Sequence, residues 1–250
     1  MIDTHAHLND PKLLPLVDEI VADSYFDAIM VVGYHKESSK KAVELAQDLD
    51  KVYAIVGCHP HDATSLSDSE CDYYREVSKL KKVVAIGEIG LDYYYDRSPR
   101  IDQKSAFIKQ IILADELGLP IVLHVRDAYG DTLEILEQYK DRLNNGVLVH
   151  CYSGSVECVR EFSRYGCYFA LGGAVTYKGA KKDDVIRAIP IDKLVLETDA
   201  PYLTPTPKRG ETNQPKYIAY TLKKVSEVLD ISEKQLEEIV TDNAKRFFRL

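Results

Sequence analysis

Histidines at alternate positions are the clearest chemical signal in this sequence. His5 and His7 are separated by one residue. On a β-strand such residues point to the same side, so the two imidazoles can bind one metal ion. Taken alone, the pair is explained equally well by two hydrogen-bonded histidines at a strand end. Four further residues complete a set suited to two divalent ions that share a bridging carboxylate. They are Glu88, His124, His150 and Asp199.

Eight short apolar runs rich in β-branched residues recur along the chain, separated by stretches of helical length. Eight such repeats in 250 residues predict a (β/α)8 TIM-type barrel with extra C-terminal helices. An open doubly wound sheet is the second choice, but the segment HAHLND after the first run lacks the glycine-rich phosphate loop typical of that fold. The runs are residues 1–5, 28–33, 52–57, 83–90, 120–125, 146–151, 168–173 and 193–198.

The elements between and after these runs are predicted from periodicity and end signals. Apolar residues near the 3.6 period predict a helix over 101–118 that closes at Gly118. A loop rich in proline and basic residues follows the eighth run and leads to helices expected at 216–229 and about 232–248. No linker or low-complexity tract divides the chain, so residues 1–250 are expected to form a single domain.

In barrels of this type, catalytic groups lie at the carboxyl ends of the strands and on the loops that follow. All seven histidines of the chain occupy such positions. Glu88 ends the fourth run and Asp199 ends the eighth, so they follow the same rule. Histidines scattered over a surface would not collect on one rim, and we therefore expect a metal site there. The histidines are His5, His7, His35, His59, His61, His124 and His150.

Composition excludes several classes of protein. With 45% hydrophobic residues the chain can bury a sizeable core, and no apolar run reaches the length of a membrane span. A formal charge of −8 argues against a broad basic surface that coats nucleic acid, but not against a site that grips a strand end. The amino-terminal residues do not resemble a signal peptide, and five cysteines without a CxxC pair predict buried, reduced thiols. A cytoplasmic protein with no membrane association and no obligate protein partner is expected.

Six segments in this order resemble the motif series of the TatD-type metal-dependent deoxyribonucleases, the TatD family of hydrolases: DTHAHL, VGCHPHD, GEIGLDYY, LHVRDA, VHCYSG and ETDAPYL. The resemblance extends from Ile2 to Pro215. It implies a TIM-type barrel, a divalent-metal site and hydrolysis of DNA phosphodiesters, commonly from a 3′ end. It also implies the metal ligands: His5, His7, Glu88 and Asp199 for the first ion, and Glu88, His124 and His150 for the second, with Glu88 as the bridge.

Asp199 and Asp92 have different predicted roles. Asp199 is the candidate catalytic base that orients an attacking water and accepts its proton, since a carboxylate bound to a metal keeps a second oxygen free. The alternative is a ligand without a proton role. Asp92 could be a further ligand, but as a loop carboxylate followed by aromatic residues it is expected to contact other ligands or solvent instead.

Two residues are candidates for substrate binding. His59 could donate a hydrogen bond to a substrate phosphate, or it could orient another ligand. Arg126, two residues after His124, could clamp a phosphate with two hydrogen bonds. Alternatively it could pair with Asp127 or Glu88.

Tyrosines interleaved with cations on three predicted loops suit a single-stranded or frayed DNA substrate, since aromatic faces stack unpaired bases and cations follow a backbone. Solvated loops would explain the lysines almost as well. The residues are Tyr93, Tyr94, Tyr95, Arg97 and Arg100; Tyr177, Lys178, Lys181 and Lys182; and Tyr202, Lys208 and Arg209.

One segment departs from the family pattern. Where the family commonly has Arg-Asn-x-Pro, this chain has Thr212, Asn213, Gln214 and Pro215. The missing arginine puts in doubt any substrate contact at that step. Asn213 is expected to cap the helix that follows.

Two rival functions remain open. A related barrel hydrolase could cleave amides, esters or phosphotriesters of a small substrate, although many such enzymes use a carboxylated lysine where this chain has Glu88. A protein that only binds nucleic acid or stores metal would leave the candidate proton acceptor without a purpose. The ion could be Mg²⁺, Mn²⁺ or Zn²⁺.

Overall fold

The computed structural model describes all 250 residues and confirms the predicted barrel. Eight strands form one parallel sheet in chain order, so each strand lies between its sequence neighbours. A bridge between Ala6 and Ala200 joins the first strand to the end of the last. The strands are β1 (Ile2–Ala6), β2 (Ala28–Val32), β3 (Val52–Val56), β4 (Val83–Asp92), β5 (Ile121–Arg126), β6 (Val147–Val149), β7 (Tyr168–Leu171) and β8 (Leu194–Leu196).

Nine α-helices accompany the strands. The predicted helix over 101–118 is present, and Gly118 ends it with a left-handed φ of 66°. The first terminal helix begins with a 3-10 turn over Pro215–Tyr217. No helix combines the length and apolarity needed to cross a membrane. The helices are α1 (Val17–Ala22), α2 (Lys36–Asp48), α3 (Asp68–Val77), α4 (Arg100–Leu117), α5 (Tyr129–Gln138), α6 (Val156–Ser163), α7 (Asp183–Ala188), α8 (Ile218–Leu229) and α9 (Glu233–Phe248).

The barrel interior is filled and closed at its amino-terminal end. One buried cluster of 15 residues takes members from all eight strands and from the last turns of α9, where Ala244, Phe247 and Phe248 lie. A larger cluster lies between the strands and the surrounding helices. Because α9 covers one end, the carboxyl ends of the strands are left to carry the site.

The joint between β1 and β8 fixes the backbone that carries three of the predicted ligands. The buried Asp3 carboxylate accepts hydrogen bonds from the backbone N–H of His5 and from both the N–H and the hydroxyl of Thr198, at 3.2, 3.0 and 2.6 Å. The N–H of Asp199 donates to the carbonyl of His5 at 2.9 Å. The N–H of His7 donates to the carbonyl of Ala200 at 2.7 Å.

Strand β4 runs irregularly past β5 where Glu88 lies. Its pairing register shifts between Ile86 and Ile89, and Gly90 then faces His124. Gly90 has a φ of 136°, and a Cβ at this position would lie 2.1 Å from the carbonyl oxygen of His124. Only glycine therefore allows the close approach that places Glu88 beside β5. The strand continues two residues beyond the predicted run, to Asp92.

All five cysteines are free. Cys58, Cys71 and Cys167 are buried as predicted, whereas Cys151 and Cys158 are half-buried.

Candidate metal centre

The structure brings all six predicted ligands together at one end of the barrel. His5, Glu88 and His124 lie on strands, His7 and His150 follow directly after β1 and β6, and Asp199 lies three residues after the end of β8. Four of the side chains are buried, whereas His124 and Asp199 are partly exposed to the rim. Three overlapping groups have ligand atoms within 4.8 Å of one another. They are His5, His7 and Asp199; His5, Glu88 and His150; and His59, Glu88 and His124.

Glu88 lies at the middle of the cluster. Its Oε1 is 2.7 Å from His124 Nδ1, 2.8 Å from His150 Nε2 and 3.5 Å from His59 Nε2. Its Oε2 is 3.5 Å from His5 Nε2. Burial raises the pKa of Glu88, but the charge of His150 and the hydrogen bonds with His124 and His150 outweigh this effect and hold the pKa well below its usual value. The carboxylate is therefore ionised and offers one oxygen to each side of the cluster.

His5, His7 and Asp199 form the second part of the cluster. Asp199 Oδ1 lies 3.4 Å from His7 Nε2 and 3.8 Å from His5 Nε2. Burial raises the pKa of Asp199, but the hydrogen bond with His7 and the charge of His5 lower it below its usual value. Asp199 has a left-handed φ of 55°, which turns its side chain back toward β1. His5 belongs to this group and also contacts Glu88, so it connects the two parts of the cluster.

In His7 and His124, the ring nitrogen that faces away from the cluster (the outer nitrogen) makes a hydrogen bond that leaves the inner nitrogen to bind a cation. His7 Nδ1 lies 3.0 Å from the carbonyl oxygen of Val32, and His124 Nε2 lies 3.0 Å from Asp92 Oδ2. Oxygens of these two kinds only accept, so in the neutral ring the outer nitrogen carries the hydrogen and the inner nitrogen has a lone pair for a metal ion. His5 Nε2 is buried without a hydrogen-bond partner. The residues present therefore fit divalent ions held by nitrogen and carboxylate ligands.

His59 differs from the other histidines of the cluster. Its Nδ1 accepts a hydrogen bond from the backbone N–H of His61 at 3.1 Å, so in the neutral ring Nε2 carries the hydrogen. Burial and the charge of His124 lower the pKa of His59 to about 4, which keeps the ring neutral. Although His59 Nε2 lies near Glu88 and His124, it is a hydrogen-bond donor rather than a lone-pair donor.

Glu197 is a buried carboxylate behind His150 that the sequence interpretation missed. Its Oε1 lies 3.5 Å from His150 Nδ1 and accepts a hydrogen bond from the N–H of Cys151 at 2.7 Å. Its Oε2 has no hydrogen-bond partner. A signal for it existed, because Glu197 and Asp199 have the same alternate spacing as His5 and His7.

Arg126 does not pair with Asp127 or Glu88, the alternatives open from the sequence. Its guanidinium lies 4.0 Å from the centre of the Tyr94 ring and 4.8 Å from that of Tyr95. The two tyrosines are 58% and 50% exposed. Arg126, Tyr94 and Tyr95 therefore form an exposed aromatic platform. His61 lies between this platform and the predicted metal ligands, and the edge of one ring meets the face of the other in its contact with Tyr95, with 5.5 Å between the ring centres.

Comparison with known proteins decides the family. The sequence profile described as TatD related DNase matches residues 2–249. The chain belongs to this family. The "Uncharacterized metal-dependent hydrolase YabD" of Bacillus subtilis is 40% identical, over 100% of this chain and 99% of its own length. The "3'-5' ssDNA/RNA exonuclease TatD" of Cronobacter sakazakii is 35% identical, over 92% and 91%.

A solved structure agrees with this assignment. The crystal structure of YJJV, a TatD homolog from Escherichia coli K12, superposes with a TM-score of 0.93 at 28% identity, covering 100% of this chain and 98% of the other. Like its relatives in the TatD family, this protein is a metal-dependent hydrolase.

Asp92 has a more definite place in this TatD family member than the sequence suggested. It is the last residue of β4 and is fully buried, so the expectation of a loop position open to solvent is wrong. Its Oδ2 contacts both His124 Nε2 and His61 Nε2 at 3.0 Å, and its Oδ1 accepts the N–H groups of Tyr94 and Tyr95. Asp92 thus contacts a predicted ligand from outside, which was the other expectation.

In the loop that departs from the TatD pattern, Asn213 makes contacts other than the predicted helix cap. Asn213 does not cap the following helix, which has Gln214 at that position without a side-chain hydrogen bond. Instead the buried Asn213 Nδ2 donates to the carbonyls of Thr198 and Tyr202 at 2.8 and 2.5 Å. A buried amide must satisfy its hydrogen bonds locally, so Asn213 fastens the loop to the end of β8. On the same rim, Arg209 lies 4.1 Å from the Tyr177 ring centre.

Proposed function

We propose that this enzyme is a 3′–5′ exodeoxyribonuclease that hydrolyses phosphodiester bonds of single-stranded or frayed DNA with metal-activated water. The observation that carries the proposal is the position of Glu88, whose two carboxylate oxygens face two nitrogen-rich donor groups. Such an arrangement suits two divalent ions sharing one carboxylate. The Cronobacter relative, named as a 3'-5' ssDNA/RNA exonuclease, supports a single-stranded nucleic acid substrate.

In this proposal the first ion, Mg²⁺, Mn²⁺ or Zn²⁺, would be held by the side chains His5, His7, Glu88 and Asp199. Glu88, His124 and His150 would hold the second. When bound, the two ions would lower the pKa of a water molecule and offset the negative charge that builds on the phosphate. The support is the ionised state of Glu88 and the outer hydrogen bonds of His7 and His124, which turn the other ring nitrogens toward the cluster.

Asp199 is proposed as the group that orients the attacking water and accepts its proton. Its Oδ1 faces His7 and His5, which leaves the second oxygen for a water molecule. Its lowered pKa keeps it ionised at neutral pH. A position on the partly exposed rim lets this oxygen meet both solvent and substrate.

Substrate contacts are proposed for His59 and for the aromatic platform. The neutral His59 ring presents Nε2–H toward the cluster, where it can donate to a phosphate oxygen. Tyr94 and Tyr95 offer exposed faces for unpaired bases, and the guanidinium of Arg126 keeps donors that could meet a phosphate. Unpaired bases offer free faces for such stacking, whereas the faces of bases within a duplex are already stacked.

We also propose that residues 1–250 act as one domain in the cytoplasm without an obligate protein partner. The buried cluster inside the barrel, which has members from all eight strands, supports a single domain. Five free cysteines suit a reducing compartment.

The test is degradation of a 5′-labelled single-stranded DNA oligonucleotide by metal-stripped protein with Mg²⁺, Mn²⁺ or Zn²⁺ added back. RNA of the same sequence and a blunt duplex are run beside it. We expect a metal-dependent ladder that shortens from the 3′ end and is absent with Glu88→Gln. Intact oligonucleotide with every ion, from folded and metal-loaded protein, would overturn the proposal and favour the small-substrate alternative, an amidohydrolase or esterase, to be tested on chromogenic amides and esters.

A further inference from the structure

A cavity of about 610 Å³ lies at the end of the barrel opposite the candidate metal centre. Gly146, Tyr168 and Lys193 line it, and each stands at or just before the first residue of β6, β7 or β8. The predicted metal ligands lie at the other ends of the strands. The volume is within the range of small-molecule sites in proteins. Nothing in the proposed nuclease reaction uses this cavity.

The charge of this amino-terminal cavity contrasts with that of the whole protein. Five cations and only one carboxylate line it, although the chain has a formal charge of −8. Two of the cations, Lys140 and Arg164, have carboxylate partners at 2.8 Å. The other three have no carboxylate within 4.0 Å, so their charge is available to a ligand. They are Lys193, Arg246 and Arg249.

Hydrogen bonds hold the side chains of the two arginines and the backbone around Lys193. The buried Asn243 Nδ2 donates to the carbonyls of Ile191 and Leu194, both at 2.8 Å, and so fixes the backbone on either side of Lys193. Its Oδ1 accepts from Arg246 Nη1 at 3.3 Å. Arg249 donates to the carbonyl of Gly118 at 2.9 Å and to Asn145 Oδ1 at 3.1 Å. Since a guanidinium has five N–H donors, both arginines keep donors for a ligand.

Aromatic rings complete the lining. Lys193 Nζ lies 4.3 Å from the centre of the Tyr168 ring, and Phe247 packs against Tyr168 beneath it. Tyr165 is half-buried, and its hydroxyl donates a hydrogen bond to the Glu137 carboxylate at 2.9 Å. Two arginines held by hydrogen bonds, together with Lys193 beside a ring face, are suited to a ligand that carries a compact, doubly charged anion on a sugar or a base.

We propose that this amino-terminal cavity binds a phosphate monoester of nucleotide size. Guanidinium groups match the geometry of phosphate, and a dianion gains more from three unpaired cations than a carboxylate does. The cavity serves binding only, because it contains no candidate nucleophile or metal cluster. Mononucleotides and sugar phosphates share this chemistry. The inference does not depend on the nuclease proposal, since the metal centre lies at the opposite end of the barrel.

The test is calorimetric titration of metal-loaded protein with inorganic phosphate, 5′-dAMP and ribose 5-phosphate. Because phosphates also bind metal ions, the wild-type protein should show two sites, of which the metal centre is the internal reference. In Lys193→Gln/Arg249→Gln we expect the second site to weaken by at least about tenfold for each cation removed. A larger affinity for 5′-dAMP than for ribose 5-phosphate would identify a nucleotide site, and equal affinities a site that reads the phosphate alone.

A matched variant, Lys79→Gln/Arg187→Gln, removes two exposed cations elsewhere and should retain both sites. Lys193→Gln alone removes no hydrogen bond and provides a second test if the Arg249 substitution prevents folding. Binding at the metal centre only, or two unchanged sites in both Lys193 variants, would overturn the inference. Oligonucleotide cleavage without added ligand is measured separately and should be the same in all variants, so this result is independent of the nuclease test.

Discussion

His150 lies between two buried carboxylates, with its Nε2 2.8 Å from Glu88 Oε1 and its Nδ1 3.5 Å from Glu197 Oε1. Burial lowers the pKa of His150, but the charges of Glu88 and Glu197 outweigh it and raise the pKa well above its usual value. Glu197 thus contacts the ring electrostatically on one side, and the other ring nitrogen faces the candidate metal centre. Glu197 is a positioning residue in this arrangement.

Replacement of Glu197 should weaken metal binding without removing a ligand. We expect Glu197→Gln to lower metal affinity by about 10- to 100-fold, because a neutral amide attracts the Nδ1 hydrogen of the neutral, metal-binding His150 ring less strongly than a carboxylate does. Competition with a chelating dye measures the affinity. Glu161→Gln, an exposed carboxylate on α6, is the matched control. Equal affinities in Glu197→Gln and wild type would show that this carboxylate does not tune the site.

Replacement of Glu88 should affect both ions together. Glu88→Gln removes the one charge that faces both donor groups, so we expect metal content to fall and the cleavage rate to drop by on the order of 10³-fold. Atomic emission gives the metal content per chain. Glu134→Gln, exposed on α5, should change neither quantity. A Glu88→Gln protein that keeps full metal content would contradict the bridging role.

His59 and His124 should respond differently to the same substitution. We expect His59→Gln to retain bound metal but to lose about 10- to 100-fold in kcat/KM, since one hydrogen bond to a charged phosphate is removed. His124→Gln should lose metal. Loss of metal from His59→Gln would instead place His59 among the ligands.

The pH dependence provides a second test of His59. Its pKa of about 4 lies below the ordinary value, and nearby cations push it further in the same direction, so the ring is neutral at every pH well above 4. The ratio of wild-type to His59→Gln rates should therefore be constant from about pH 5.5 to 8.5. A ratio that changes around pH 6.5 would mean that His59 titrates as an ordinary histidine.

The aromatic platform should matter only for substrates that carry bases. Tyr94→Ala should raise KM for single-stranded oligonucleotides by about tenfold, from the loss of one base stack, whereas Tyr94→Phe keeps the ring and should be near wild type. Hydrolysis of a small chromogenic phosphodiester without bases serves as the reference and should be the same in all three proteins. An equal loss on both substrates would indicate damage to the metal centre instead.

Gly90 should tolerate no side chain. Gly90→Ala must relieve a Cβ contact of 2.1 Å with the His124 carbonyl and adopt a φ of 136°, so we expect a loss of about 2 kcal/mol or more in the free energy of unfolding. Denaturant titration of metal-stripped protein measures it. Gly130 lies in α5 with open space around it, and Gly130→Ala should be neutral or stabilising. Equal stability of both variants would refute the packing argument.

Much of this architecture could be predicted because it depends on periodicity. Strand ends place side chains on one rim, and alternate spacing places His5 and His7 on one face, so the barrel and the six clustered side chains follow from local patterns. The same pattern applied to Glu197 and Asp199 would have found the carboxylate behind His150.

Other features depend on contacts between distant segments. Asp92 looked like a loop residue because the irregular pairing of β4 beyond Glu88 leaves no local sequence signal. Asn213 resembled a helix cap, but its amide binds carbonyls 15 and 11 residues away, which no helix-end pattern specifies. The hydrogen of the neutral His59 ring lies on Nε2 because Nδ1 accepts a hydrogen bond from the backbone N–H of His61, and the residue type alone does not specify this contact.

The joint between β1 and β8 couples the candidate metal centre to chain synthesis. His5 and His7 leave the ribosome well before Asp199, which follows all eight strands in chain order. The hydrogen bonds from Asp199 to His5 and from His7 to Ala200 can form only then. A nascent chain therefore has no complete first donor group, and full metal occupancy marks a barrel whose two ends have met.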